Sequence, residues 1–206
     1  MNKIKKFIDR NVDSDQQVLL IAAIICGVLQ FYCHSAISKF IAESVSAETL
    51  SLQGMAFFAG GFLAEISWKT GIKSKVKRFF IILMIIESIL FFTTASYVAF
   101  ISRNAYIMII GEVLTDVVIG CYTSLATREF KNTLWQGKKR SRFDNNNGII
   151  TKAVGITGLL IATVKAPEIE VALIIWAISG IFSGLGWMIV YYRHRKELLQ
   201  EDKKED

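Results

Sequence analysis

Two carboxylates, Glu112 and Asp116, stand four residues apart in an otherwise apolar stretch, 105–126. On a helix this spacing puts them on one face, one turn apart. An ionisable group inside an apolar span is costly unless it meets a partner, a proton or a cation. A second polar series, Gln30, His34 and Ser38, repeats every four residues within 18–40. If the two stretches face each other, Gln30 falls at the depth of Asp116 and His34 at the depth of Glu112. An imidazole and two carboxylates in one cavity relay protons or hold a cationic substrate. The same groups equally make a hydrogen-bonded cluster that only holds helices together. Glu87, near the middle of 79–101, has no obvious partner at its depth and reads either as a protonated acid or as half of a pair across an oligomer contact. Glu65, at the end of 50–68, lies beside a basic run and is expected to pair there.

Enzyme chemistry has no foothold. The sequence contains no phosphate-binding glycine loop, no HExxH pair and no nucleophile elbow, so neither an enzyme nor a metal or cofactor site is expected. Cys26, Cys33 and Cys121 all fall inside apolar stretches and read as reduced packing residues. The second histidine, His194, lies in a basic tail.

The elements that must position the polar groups are long apolar blocks. The chain has 206 residues, 52% of them hydrophobic. A helix needs about 20 mostly apolar residues to cross a bilayer. Six blocks qualify: 18–40, 50–68, 79–101, 105–126, 148–164 and 171–192, flanked by charged segments 1–17 and 193–206. They are continuous rather than alternating, so helices rather than barrel strands satisfy their backbones in lipid. The expected fold is an all-α, polytopic six-helix bundle. The first block is expected to stay as a span, since no small-residue cleavage site follows it.

Charge gives the orientation. Of the 24 Lys and Arg residues, only Lys39, Arg103 and Lys165 fall on one side, and Lys152 lies in the interior of the fifth block. The rest cluster in the N-terminal segment, the 69–78 and 128–142 connections and the tail. Basic flanks stay cytoplasmic, which predicts both termini in the cytoplasm of an inner-membrane protein. The net charge of +6 then reflects topology and attraction to lipid headgroups rather than nucleic acid. The 127–147 connection is expected to be a long loop. Phe130, Leu134 and Trp135 fall on one face of a short amphipathic helix in the membrane interface or anchor a solvated loop, and the 144–148 DNNNG run marks the start of the fifth span. Gly180 and Gly184 have the small-xxx-small spacing of close helix packing, within or between chains.

The stretch LSLQGMAFFAGGFLAEISWKTGIKSKVKRFFII, with the basic connection before a glycine-bearing fifth span (AVGITGLL), resembles the N-terminal six-helix half of a major facilitator superfamily transporter. Glu65-Ile66 match the turn that ends the second helix, and Lys77-Arg78 occupy the basic end of the gate-like loop. Lys73 stands about where the family has an aspartate, and Ser67 where it has a proline. The resemblance implies a half-transporter-like bundle and a cytoplasmic gate-like loop of Glu65, Lys73, Lys77 and Arg78. Alternating access requires two halves, so a transport subunit is expected to work as a homo-oligomer or with a second membrane or cytoplasmic protein. The alternative is a non-transporting anchor, sensor or immunity-type subunit that reuses the half-fold.

Overall fold

In a computed structural model the chain is described over residues 13–200, and every described element is helical. The charges of 1–12 and 201–206 that entered the orientation argument lie outside the described residues. Six helices are long and apolar enough to cross a membrane: α1 (Ser14–Ser44), α2 (Ala47–Arg78), α3 (Phe80–Ser102), α4 (Ala105–Leu134), α5 (Gly137–Val164) and α6 (Ile169–Gln200). Side chains cap the starts of α1, α2 and α4. The Ser46 hydroxyl accepts from the Thr49 amide at 3.3 Å, and the Asn104 carbonyl oxygen of the side chain from the Tyr106 amide at 2.9 Å. Gly71, at φ +107°, breaks α2 after its membrane-length part, so Lys73–Arg78 forms a separate short helix leading into α3.

The helices outrun the apolar blocks. With 31 residues, α1 is roughly 46 Å long, against a hydrocarbon core of about 30 Å. The largest departure from expectation is the 127–147 connection. It is not a loop: α4 runs on to Leu134, α5 begins at Gly137, and only Trp135 and Gln136 lie between them. The 144–148 DNNNG run lies inside α5, where Arg140 and Asp144 form an i,i+4 ion pair at 2.6 Å. What keeps this extension helical is tertiary. Trp135 stacks on Phe143 with ring centroids 4.8 Å apart, and both are buried against Leu19, Leu20 and Val190. Phe130 joins a neighbouring cluster with Phe80 and Tyr191. The amphipathic face read from the sequence is real, but it packs on protein rather than lying in the membrane interface.

Packing follows a regular scheme. α1 packs chiefly against α5 and α6, α4 against α2 and α3, and α3 against α6. Advancing every helix by three positions (α1 for α4, α2 for α5, α3 for α6) converts this set of pairs into itself. Two interior clusters carry it, one around Phe80, Phe130 and Tyr191, the other around Cys33, Ala95, Met108 and Leu173. Glycine permits the closest approach. A Cβ at Gly158 of α5 would stand 2.7 Å from the Phe31 Cβ and 2.9 Å from the Val28 carbonyl oxygen of α1. Gly184 backs onto Met84 and Ser88 of α3, and Gly180 onto Phe91, so this small-residue spacing serves a contact within the chain.

The outer surface is apolar. Phe58, Phe100, Ile101 and Val164 are each more than 70% exposed, with many further Ile, Leu and Phe side chains around them. A surface of this kind is solvated by lipid rather than water. The chain is therefore an integral membrane protein of all-α, polytopic architecture. The three cysteines are free.

Candidate functional site

The middle of α4 departs from α-helical geometry. Val113–Gly120 is a π-helical segment of eight residues, longer than the single-turn bulges such segments usually form and of a kind that recurs at functional sites. At its start the buried Thr115 hydroxyl donates back to the Gly111 carbonyl, a bond that loosens the regular ladder. The segment carries Asp116 and ends at Gly120. A Cβ on Gly120 would lie 3.3 Å from Glu87 Oε1 and 3.7 Å from Asp116 Oδ1. The bare glycine thus lets a carboxylate from α3 and one from α4 converge on a single point.

Glu87 accepts a hydrogen bond from the Thr123 hydroxyl at 2.9 Å. The partner invisible in the sequence is this threonine, two turns beyond Asp116 on α4. Glu112 accepts from the Gln53 side-chain amide of α2 at 2.7 Å. Among the described residues, none of Glu87, Glu112 and Asp116 forms an ion pair with Lys, Arg or His. Two cavities meet at Glu87 and Asp116. The larger, about 720 Å³, lies between α2 and α4, with Phe57, Phe58 and Phe62 on one wall and Glu65 and Arg128 at its far end. The smaller, about 240 Å³, adds Gln30, Phe91 and Trp176.

The expected constellation therefore splits. Gln30 and Asp116 do share a cavity, and Glu87 joins them. His34 does not: it is exposed, on the side of α1 turned away from the bundle. The reason is packing. α1 buries Cys26, Cys33 and Ile37 against α5 and α6 and makes only slight contact with α4, so the four-residue stripe turns out of the bundle beyond Gln30. Glu112 consequently faces Gln53 of α2 instead of an imidazole.

At the end where α2 and α3 join, the pairing also differs from expectation. Glu65 pairs with Arg128 of α4, at 3.0 Å, rather than with the 69–78 run. That run is held instead by Glu129, a residue the sequence reading passed over. Lys73 and Lys77 approach one Glu129 oxygen at 2.5 and 3.5 Å, and the Trp68 indole donates to the other at 3.2 Å. Burial works to raise the Glu129 pKa, but the Lys73 hydrogen bond, the two ammonium charges and the indole outweigh it and hold the carboxyl below its ordinary value. Lys77 is 2% exposed, and its carbonyl accepts from the Tyr191 hydroxyl at 2.9 Å, tying the connection to α6. Arg78 is exposed and lies over the Phe79 ring. The only sequence signal for Glu129 was its place in the amphipathic 127–136 stretch, one residue before the buried Phe130.

A third ionic group clamps the ends of α1 and α6 beyond their apolar stretches. Asp15 accepts from Arg193 at 2.7 Å and is paired with His194 at 2.6 Å, while the other His194 nitrogen lies 2.9 Å from Glu197. Burial opposes both charges, yet the partners lower Asp15 and raise His194.

No protein-family model, curated protein or solved structure matches the chain.

Proposed function

We propose that the protein is a membrane transport subunit, similar to one half of a major facilitator transporter, which works as an oligomer or with a partner chain in the cell inner membrane. The observation that carries this reading is the meeting of Glu87 and Asp116 at the junction of two cavities, deep in the apolar part of the bundle and without a cationic side chain beside them. Carboxylates in that setting exchange a proton or a cation as part of a cycle, because leaving them charged and empty is costly. The π-helical segment supports the same reading, since it offers α4 a second register at the site. The self-converting set of helix pairs matches what an inverted three-plus-three repeat requires, and the clustering of basic residues in the 69–78, 128–142 and 193–196 segments supports cytoplasmic termini.

Reconstitution into liposomes tests the reading. With an internal pH-sensitive dye, the wild-type protein is expected to dissipate an imposed proton or cation gradient. Asp116→Asn and Glu87→Gln are expected to abolish the flux while inserting and eluting normally. A wild-type protein that moves no proton or monovalent cation, alone or with its co-purifying chains, sinks the proposal and leaves the non-transporting subunit.

A further inference from the structure

The larger cavity has features that a proton path alone does not need, and we infer that it is a binding site for a hydrophobic organic cation. The inference rests on the transport reading only for what such a cation would be bound for. Its volume of about 720 Å³ is that of a pocket for a drug-sized molecule, whereas a proton or a metal ion requires a few ångströms. One wall is aromatic: Phe57, Phe58 and Phe62 of α2. Their spacing puts Phe58 and Phe62 on one helical face. Ring faces attract cations, most strongly where water is excluded. The inner end holds the two carboxylates, Glu87 and Asp116, converging on Gly120. Among the described residues, the only cationic side chain on the wall, Arg128, is already paired with Glu65, so it does not neutralise the inner acids.

Shape and access agree with that chemistry. Gly61 lies between the phenylalanines and has nothing within 4 Å of the position its Cβ would take, so the glycine leaves the cavity open where any side chain would protrude. Phe58 and Phe62 are 85% and 66% exposed, so the aromatic wall is continuous with the lipid-facing surface of α2. A solute that reaches this wall must be soluble in lipid, and one that is held at its inner end must carry a positive charge. A metal ion fails the first condition, an anion the second and a sugar both.

Equilibrium binding of tetraphenylphosphonium to the purified protein in detergent tests this, with tetraphenylborate as the probe of equal shape and opposite charge. Binding needs no transport, so the two proposals can fail separately: a protein that binds the cation but carries no flux sinks the transport reading alone, and a protein that carries flux without binding it sinks this one alone. The expected result is saturable binding of tetraphenylphosphonium, no saturable binding of tetraphenylborate, and at least a tenfold weaker affinity in Asp116→Asn and in Glu87→Gln. Gly61→Leu leaves both carboxylates in place and fills the cavity, and it too is expected to lose binding at unchanged thermal stability. Absence of saturable binding in the wild type, equal binding of the two probes, or unchanged affinity in Gly61→Leu together with the carboxylate variants overturns the inference.

Discussion

Gly158→Ala probes the seam between α1 and α5 with a single methyl group. The added Cβ would stand 2.7 Å from the Phe31 Cβ, 2.9 Å from the Val28 carbonyl oxygen and 3.1 Å from the Tyr32 amide nitrogen. Two of the three obstacles are backbone, so no rotamer change relieves them and the helices must separate. Overpacking of a tight interior costs about 1–3 kcal/mol, and the backbone obstacles place this site near the upper end. Alanine returns about 1 kcal/mol of helix propensity, leaving a net loss of about 2 kcal/mol. For a chain of this size that lowers the melting temperature by roughly 4–8 °C. The controls share the propensity gain without the clash. A Cβ at Gly54 meets nothing within 4 Å, and one at Gly180 meets only Phe91 ring carbons at 3.8 Å and beyond. Gly54→Ala and Gly180→Ala are therefore expected to be neutral or slightly stabilising. Thermal unfolding in mild detergent, followed by a thiol-reactive dye on the buried Cys26 and Cys33, measures all three. If Gly158→Ala melts with the two controls, α1 and α5 do not meet at Gly158.

Three further outcomes are expected. Glu129→Ala removes the carboxylate shared by Lys73, Lys77 and Trp68 and is expected to cost about 3 kcal/mol, in the range for breaking a buried pair. Adding Lys77→Met should recover part of that loss, and a double variant no better than the single one refutes the pairing. The α1–α6 clamp should depend on pH: His194 is raised above its ordinary value of 6.5, so its contribution is complete below 6.5 and is lost as pH rises through the folded-state value. Asp15 is lowered, so its contribution is complete above its ordinary value and is lost only in more acidic solution. Melting temperature should therefore fall above pH 6.5 by more in the wild type than in His194→Gln, an effect of up to about 1 kcal/mol because the ring is partly exposed; parallel profiles exclude the clamp. In a background lacking the native cysteines, Asn104→Cys and Glu168→Cys should react with an impermeant thiol reagent from outside the cell, and Ser74→Cys and Gly137→Cys only after permeabilisation. External labelling of Ser74→Cys overturns the orientation.

The sequence reads clearly wherever one residue property decides the outcome. The apolar blocks dictate six helices because a bilayer leaves the backbone no alternative, and Phe130 and Trp135 announce their burial by helical spacing. It reads poorly where two helices must be docked to know the answer. The Gln30–His34–Ser38 stripe has a clear period, but only the packing of α1 on α5 and α6 shows that His34 leaves the bundle while Gln30 stays in it. Glu87 finds Thr123, and Glu129 gathers Lys73 and Lys77, across sequence gaps that no local pattern spans. The DNNNG run misleads for a related reason. Its turn propensity is real, but the stacking of Trp135 on Phe143 holds the chain helical through it.

The two-residue turn at Trp135 and Gln136 makes the ends of α4 and α5 a stiff lever. From Asp116 to Leu134, α4 runs unbroken for about 27 Å, with its tip braced on α5 by aromatic stacking. A rod of that length tilted by about 10° at its buried end moves its tip by about 5 Å. One continuous helix thus joins Asp116 to the basic hairpin tip carrying Lys138, Lys139 and Arg140, so any tilt of α4 at the site would be felt as a displacement of charge at that tip.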